Sequence, residues 1–180
     1  MGILRCAGIG VLLSLLAAPA PAKVKIFPSK QDKITNYKTF QWDPIRIVTR
    51  TGFVDDDPTV SPMIRAAITR ELTKRGYVEV KQGAEFRVLA AGLNERSSQL
   101  EGFLLSWGFD PFWGYGVSAA STLQRVNEEG VIIVTLLNTK TESNIWTGYS
   151  TQSFGRKGTL NKTIDKATTK LFKKLPARVK

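Results

Sequence analysis

Histidine is absent from the 180-residue chain, and its one cysteine, Cys6, lies near the very start. Without imidazole there is no Ser-His-Asp or Cys-His catalysis, no ordinary zinc site and no side chain that changes charge near neutral pH. Once the leader described below is removed, thiol chemistry goes too: no disulfide, thiolate metal site or cysteine nucleophile. The remaining composition suggests no cofactor or metal. Acids are also scarce, with 15 Asp+Glu against 26 Lys+Arg and a formal net charge of +11. Finally, no apolar run reaches the roughly 18 residues that a membrane-spanning helix needs.

What stands at the start resembles an export signal. Arg5 gives a positive beginning, residues 8–16 an apolar stretch, and Ala20-Pro21-Ala22 a small-residue cleavage site, so the cut is expected between Ala22 and Lys23. An uncleaved interfacial anchor is the alternative. Removing residues 1–22 leaves 158 residues, enough for one domain with one core. That domain is expected over 37–176, between a loosely ordered basic segment, 23–36, and a basic tail, 177–180. The exported chain should be drawn to anions. Its expected counterparts are an anionic lipid, an envelope polymer or an envelope protein rather than nucleic acid, although a merely solvated basic surface would have the same composition.

The fold reading starts at residues 131–137, V-I-I-V-T-L-L, too short for a buried helix and rich in branched side chains. It predicts a central strand covered on both faces. Polar residues 138–144 then turn the chain into a second strand over 145–154, with Trp146, Gly148 and Ser150 on one face. Upstream, Asn127-Glu128-Glu129-Gly130 signals another turn, so 117–126 is expected to pair on the other flank and complete a meander. Residues 37–42 predict an early strand with Phe40 and Trp42 on one face, 77–80 a short strand, and 86–97 a longer one with a bulge at Gly92. A helix is predicted over 61–76, with Ser61 as N-cap, Pro62 in its first turn and Gly76 at its close. Its apolar stripe is Ile64, Ala67, Ile68 and Leu72. A second helix, 160–175, carries Leu160, Ile164, Ala167, Leu171, Phe172 and Leu175 inward.

Three features could carry function. Asp55, Asp56 and Asp57 lie in an expected loop, 50–59, and invite a calcium or acid/base reading, but they lack the alternating oxygen ligands of a calcium loop and suit the positive end of the following helix. Residues 99–116 interleave Phe103, Trp107, Phe109, Phe112, Trp113 and Tyr115 with glycines; exposed, the rings from Trp107 to Tyr115 form a partner-binding patch, and folded back they cap the core. Lys162, Lys166, Lys170 and Lys173 form a basic ridge along the outer face of the second helix, either an anionic-surface contact or a solvated face.

In their order and spacing, Y-K-T-F-Q-W (37–42), I-R-A-A-I-T-R-E-L-T-K-R-G-Y (64–77), the glycine-aromatic stretch (107–116), E-G-V-I-I-V-T-L-L-N (129–138), I-W-T-G (145–148) and the closing helix resemble the bacterial envelope proteins grouped as domain of unknown function 4136. The resemblance implies an α+β domain, with helices against a largely antiparallel sheet, in the envelope of Gram-negative bacteria; it implies no activity. Many members resemble lipoproteins, whereas Cys6 here precedes the apolar run, so no lipobox exists and no lipid anchor is expected. Residues and resemblance together predict an α+β fold, a largely antiparallel sheet with a C-terminal meander and two amphipathic helices on one face. The expected function is a non-catalytic periplasmic binding or structural module. The rival is a carboxylate-dependent hydrolase using Glu128 and Glu129 or the Asp55 group, which lacks acids set in environments that would separate their pKa values.

Overall fold

The computed structural model describes residues 23–30, 32–49, 52–93, 130–152 and 160–178. Eight strands form one mixed, mostly antiparallel sheet: β1 (Lys23–Pro28), β2 (Thr39–Trp42), β3 (Arg46–Thr49), β4 (Gly52–Asp55), β5 (Val78–Glu79), β6 (Phe86–Leu93), β7 (Gly130–Asn138) and β8 (Asn144–Gln152). Two helices of the described residues, α1 (Ser61–Lys74) and α2 (Leu160–Phe172), lie on one of its faces. The strand order is β1-β8-β7-β6-β2-β5. β3 follows β2 along the same flank of β6, both parallel to it, and β4 closes that end as a hairpin on β3.

β7 is the central strand its composition predicts. Val131 to Leu136 are buried on both faces, and antiparallel partners run along both flanks. The turn into β8 is built by Asn138, whose Oδ1 accepts from the amides of Lys140 (2.9 Å) and Thr141 (3.3 Å) while Glu142 takes a positive φ. The other flank, expected to be taken by 117–126, belongs to β6, paired from Phe86↔Asn138 to Leu93↔Val131. The meander is therefore β6-β7-β8. Residues 117–126 lie outside the described residues, as do 94–97 of the strand expected beyond Leu93.

Four further expectations are corrected. Residues 23–28, expected to be loosely ordered, form β1, because Val24 and Ile26 alternate with lysines and pack against the core while the backbone pairs with the open edge of β8. Part of the expected 50–59 loop is β4, which extends the sheet beside β3. Ser61 is not the N-cap; Asp57 Oδ1 accepts from the amides of Thr59 (2.9 Å) and Val60 (2.7 Å) ahead of the helix, and the buried Ser61 hydroxyl has no partner among the described residues. Gly92 makes no bulge, its register with Ile132 being continuous. It serves a close approach instead, since a Cβ there would stand 3.0 Å from Ile64 Cδ1 and 3.1 Å from Ile47 Cδ1.

The first helix closes at Gly76 as predicted, whereas the second, expected to run to Leu175, ends at Phe172. α1 closes in a Schellman motif, with Gly76 at φ +87, its amide on Thr73 O and the Tyr77 amide on Leu72 O. The core lies between helices and sheet: Ile64, Ile68, Leu72, Ile164, Leu171 and Phe172 meet Phe40, Phe86, Val88, Ile132, Val134, Leu136 and Trp146. At roughly 1.5–3 kcal/mol for each large apolar side chain fully buried, this layer is what holds the two helices to the sheet.

Candidate functional site

The acids singled out by the sequence are engaged by the fold. Asp55 pairs with Arg46 at 2.8 Å, and that hydrogen bond holds its carboxyl below the usual range. Asp56 accepts from the amide of Ile45 at 2.9 Å and faces Arg65 at 3.5 Å. Asp57 accepts from the Thr59 and Val60 amides in the turn ahead of α1. The same holds elsewhere: every Asp and Glu among the described residues has a hydrogen bond or an ion pair. Among them no three acids, cysteines or histidines gather as metal ligands.

One of these acids went unread in the sequence. Glu71 lies on the buried stripe of α1, 3% exposed. Its Oε2 accepts from Arg75 (2.8 Å) and its Oε1 from Lys74 (3.2 Å) and from Thr169 of α2 (3.1 Å). Burial pushes the carboxyl up, but these donors together outweigh it and hold the group below the ordinary value. Arg75 also reaches Leu175 O at 3.4 Å and lies over the Phe172 ring, so one carboxylate ties α1, α2 and the segment after it. The Glu71/Arg75 spacing of four was the available signal.

Tyr77 adds to this latch. It is buried, its hydroxyl donates to Pro176 O at 3.0 Å, and burial pushes its pKa up to about 12. On the same Phe86 ring that Tyr77 packs against, Tyr37 donates to Asp32 (2.8 Å) and accepts from Asn138 (2.9 Å); burial first, then Asp32, pushes it up to about 12 as well.

The basic ridge is where the sequence placed it. Lys162, Lys166 and Lys173 are exposed and Lys170 is half-buried, all on the side of α2 away from its buried stripe. With Asp165 and Thr169 they line a shallow groove of about 450 Å³. Asp165 is matched from α1 by Arg70 at 2.8 Å, and Thr169 is turned to Glu71. None of the four lysines has a carboxylate partner among the described residues.

The structure therefore brings the four lysines together with Asp165 and Thr169, and it disperses the three aspartates. The aromatic set Trp107, Phe109, Phe112, Trp113 and Tyr115 lies outside the described residues, as do Glu128, Glu129 and Ala22. Lys23 opens β1. No described helix is long and apolar enough to cross a membrane.

Comparison with known proteins adds the following. The model of the family described as domain of unknown function (DUF4136) matches residues 27–177. Among solved structures, a DUF4136 family protein from Bacteroides thetaiotaomicron superposes with a TM-score of 0.59 at 16% identity, covering 87% of this chain and 98% of that one. PelC from Paraburkholderia phytofirmans, solved as a dodecamer, superposes at 0.52 with 13% identity, covering 88% of this chain and 100% of its own. At these identities the likeness is one of fold. No curated protein sequence matches.

Proposed function

The chain belongs to the DUF4136 family, and from that premise we propose that it is a non-catalytic binding or structural module of the cell envelope, exported to the periplasm. The observation that carries this reading is the use made of the carboxylates. Acid/base chemistry needs a carboxyl with a proton to exchange at a substrate, and a pair whose environments pull their pKa values apart. Each described acid instead neutralises a cation, accepts a backbone amide or a side-chain hydroxyl, and so belongs to the scaffold.

The proposed contacts are the rings of 99–116, by apolar burial and stacking, and the lysines of α2, by charge. In sequence these rings fall between Leu93, the last residue of β6, and Gly130, the first of β7. The test compares capture from envelope extract by the wild type and by a variant carrying Trp107→Ser, Phe112→Ser and Trp113→Ser. Loss of specific capture is expected. Equal recovery would remove the aromatic segment, and turnover of a substrate by the purified protein would replace the reading with an enzymatic one.

A further inference from the structure

We propose that the lysine crest of α2 docks on an anionic lipid bilayer; this names a partner for the binding module argued above and rests on that reading. At about 100° per residue, Lys162, Lys166, Lys170 and Lys173 fall within an arc of about 80°, opposite the arc that buries Ile164, Leu171 and Leu175. The four ammonium groups thus stand along a crest about 16 Å long, pointing directly away from the core. Among the described residues the one carboxylate lining the groove with them, Asp165, is neutralised by Arg70 and does not cancel the crest.

Three properties select the partner. All six residues lining the groove come from α2 and Lys173 directly after it, so among the described residues no second element closes over a ligand, and a flat surface meets such a crest more fully than a small anion or a threaded polymer does. The cations are lysines, compact hydrated point charges suited to mobile headgroups rather than to the fixed bidentate geometry an arginine site provides. No apolar side chain lines the groove, and the apolar stripe of α2 is spent on the core, so the helix cannot insert. The contact is Coulombic, and salt must weaken it.

Sedimentation of the purified protein with vesicles tests this, using phosphatidylglycerol mixed with phosphatidylethanolamine against phosphatidylcholine alone. Each lysine near an anionic surface contributes about a fivefold change in partition, so Lys166→Gln with Lys170→Gln should lower binding to the anionic vesicles about 25-fold. Lys81→Gln with Lys140→Gln, two exposed lysines elsewhere with the same loss of net charge, should leave binding within about threefold. Near-complete release is expected at about 0.5 M salt. Equal losses for the two pairs, binding that survives that salt, or preference for soluble dextran sulfate over vesicles at equal anionic charge would each overturn the proposal. Unchanged melting of both variants separates lost binding from lost fold. Failure here with envelope capture intact would sink the crest alone, since the ring variant and the lysine variants share no residue.

Discussion

Replacing Gly148 by alanine puts the packing of α2 on the sheet to a quantitative test. The new methyl would sit 2.6 Å from Trp146 Cη2, 2.9 Å from its Cζ2 and 2.7 Å from Leu171 Cδ1. Ordinary carbon contacts begin near 3.5 Å. Neither neighbour has room to yield: Trp146 is 1% exposed with its ring 5.8 Å from that of Phe172, and Leu171 is fully buried. Relief therefore requires displacing the indole or lifting α2, at about 1–3 kcal/mol for overpacking of this kind. Against that stands the roughly 0.5–1 kcal/mol normally gained when glycine leaves a strand. The net expectation is a loss of about 1–2 kcal/mol, or about 3–6 °C in Tm for a domain of this size. Urea and thermal unfolding followed by tryptophan fluorescence measure it. Gly92→Ala is the internal control: its methyl would meet only the terminal methyls of Ile64 and Ile47 at 3.0–3.1 Å, which can shift by tenths of an ångström, so its cost should be less than half. In a Trp146→Leu background the Gly148→Ala cost should shrink by about 1 kcal/mol, the coupling expected of residues in direct contact. A Gly148→Ala protein as stable as the wild type, or strict additivity with Trp146→Leu, would refute the close approach of indole and glycine.

Two further outcomes concern the latch between the helices. Glu71→Gln should lower stability at pH 7 by about 2 kcal/mol, since it leaves the charges of Arg75 and Lys74 without their counterion. Because the folded pKa of Glu71 is depressed, its contribution is complete above its unfolded value of about 4.3 and is lost as pH falls through the folded value; melting curves of wild type and variant should therefore converge below pH 4, and a constant gap would disprove the assignment. Tyr77→Phe should cost about 1 kcal/mol for the hydrogen bond to Pro176 O. With Tyr77 and Tyr37 raised to about 12 from about 10, stability should be full below pH 10 and fall as pH rises through the folded values, read as the difference in tyrosinate absorbance between the wild type and a Tyr37→Phe, Tyr77→Phe variant, which should appear only together with unfolding; a difference appearing near pH 10 in the folded protein would contradict it.

The parts of the fold visible in the sequence are those in which local pattern and tertiary burial agree. Residues 131–137 have apolar side chains for both faces and become the central strand, and the 3.6-residue stripes of α1 and α2 face the sheet as drawn. Gly76 ends α1 because its positive φ suits glycine and little else. The misses share a cause, in that the deciding partner is remote. Val24 and Ile26 sit between lysines and read as a loose basic stretch; only the open edge of β8, more than a hundred residues away, makes them a strand. Ser61 looks like a cap by type and position, yet Asp57 sits in a turn that offers its carboxylate to two amides first. The partner of β7 on its second flank is β6 rather than the nearest upstream segment, a choice fixed by eight matched positions that periodicity cannot count. Of the candidate site, the lysine ridge was readable because solvent exposure follows from helical spacing alone, whereas Glu71 was hidden by being a charged residue on an apolar stripe.

Glu71 and the ridge are two consequences of one shortage. With few acids to distribute, the fold places several of the described ones where an unpaired cation or amide would otherwise be costly: Glu71 against the partly buried Arg75, Asp43 and Glu142 against Arg87, and Asp57 ahead of α1. Lys162, Lys166, Lys170 and Lys173 have no carboxylate partner among the described residues, and the helical repeat of α2 and the turn after it puts the four in register. Solvation alone would tolerate them at scattered positions equally well. Their alignment opposite the core concentrates the field of the surplus charge on one face, the condition under which a diffuse basic excess becomes a directional one.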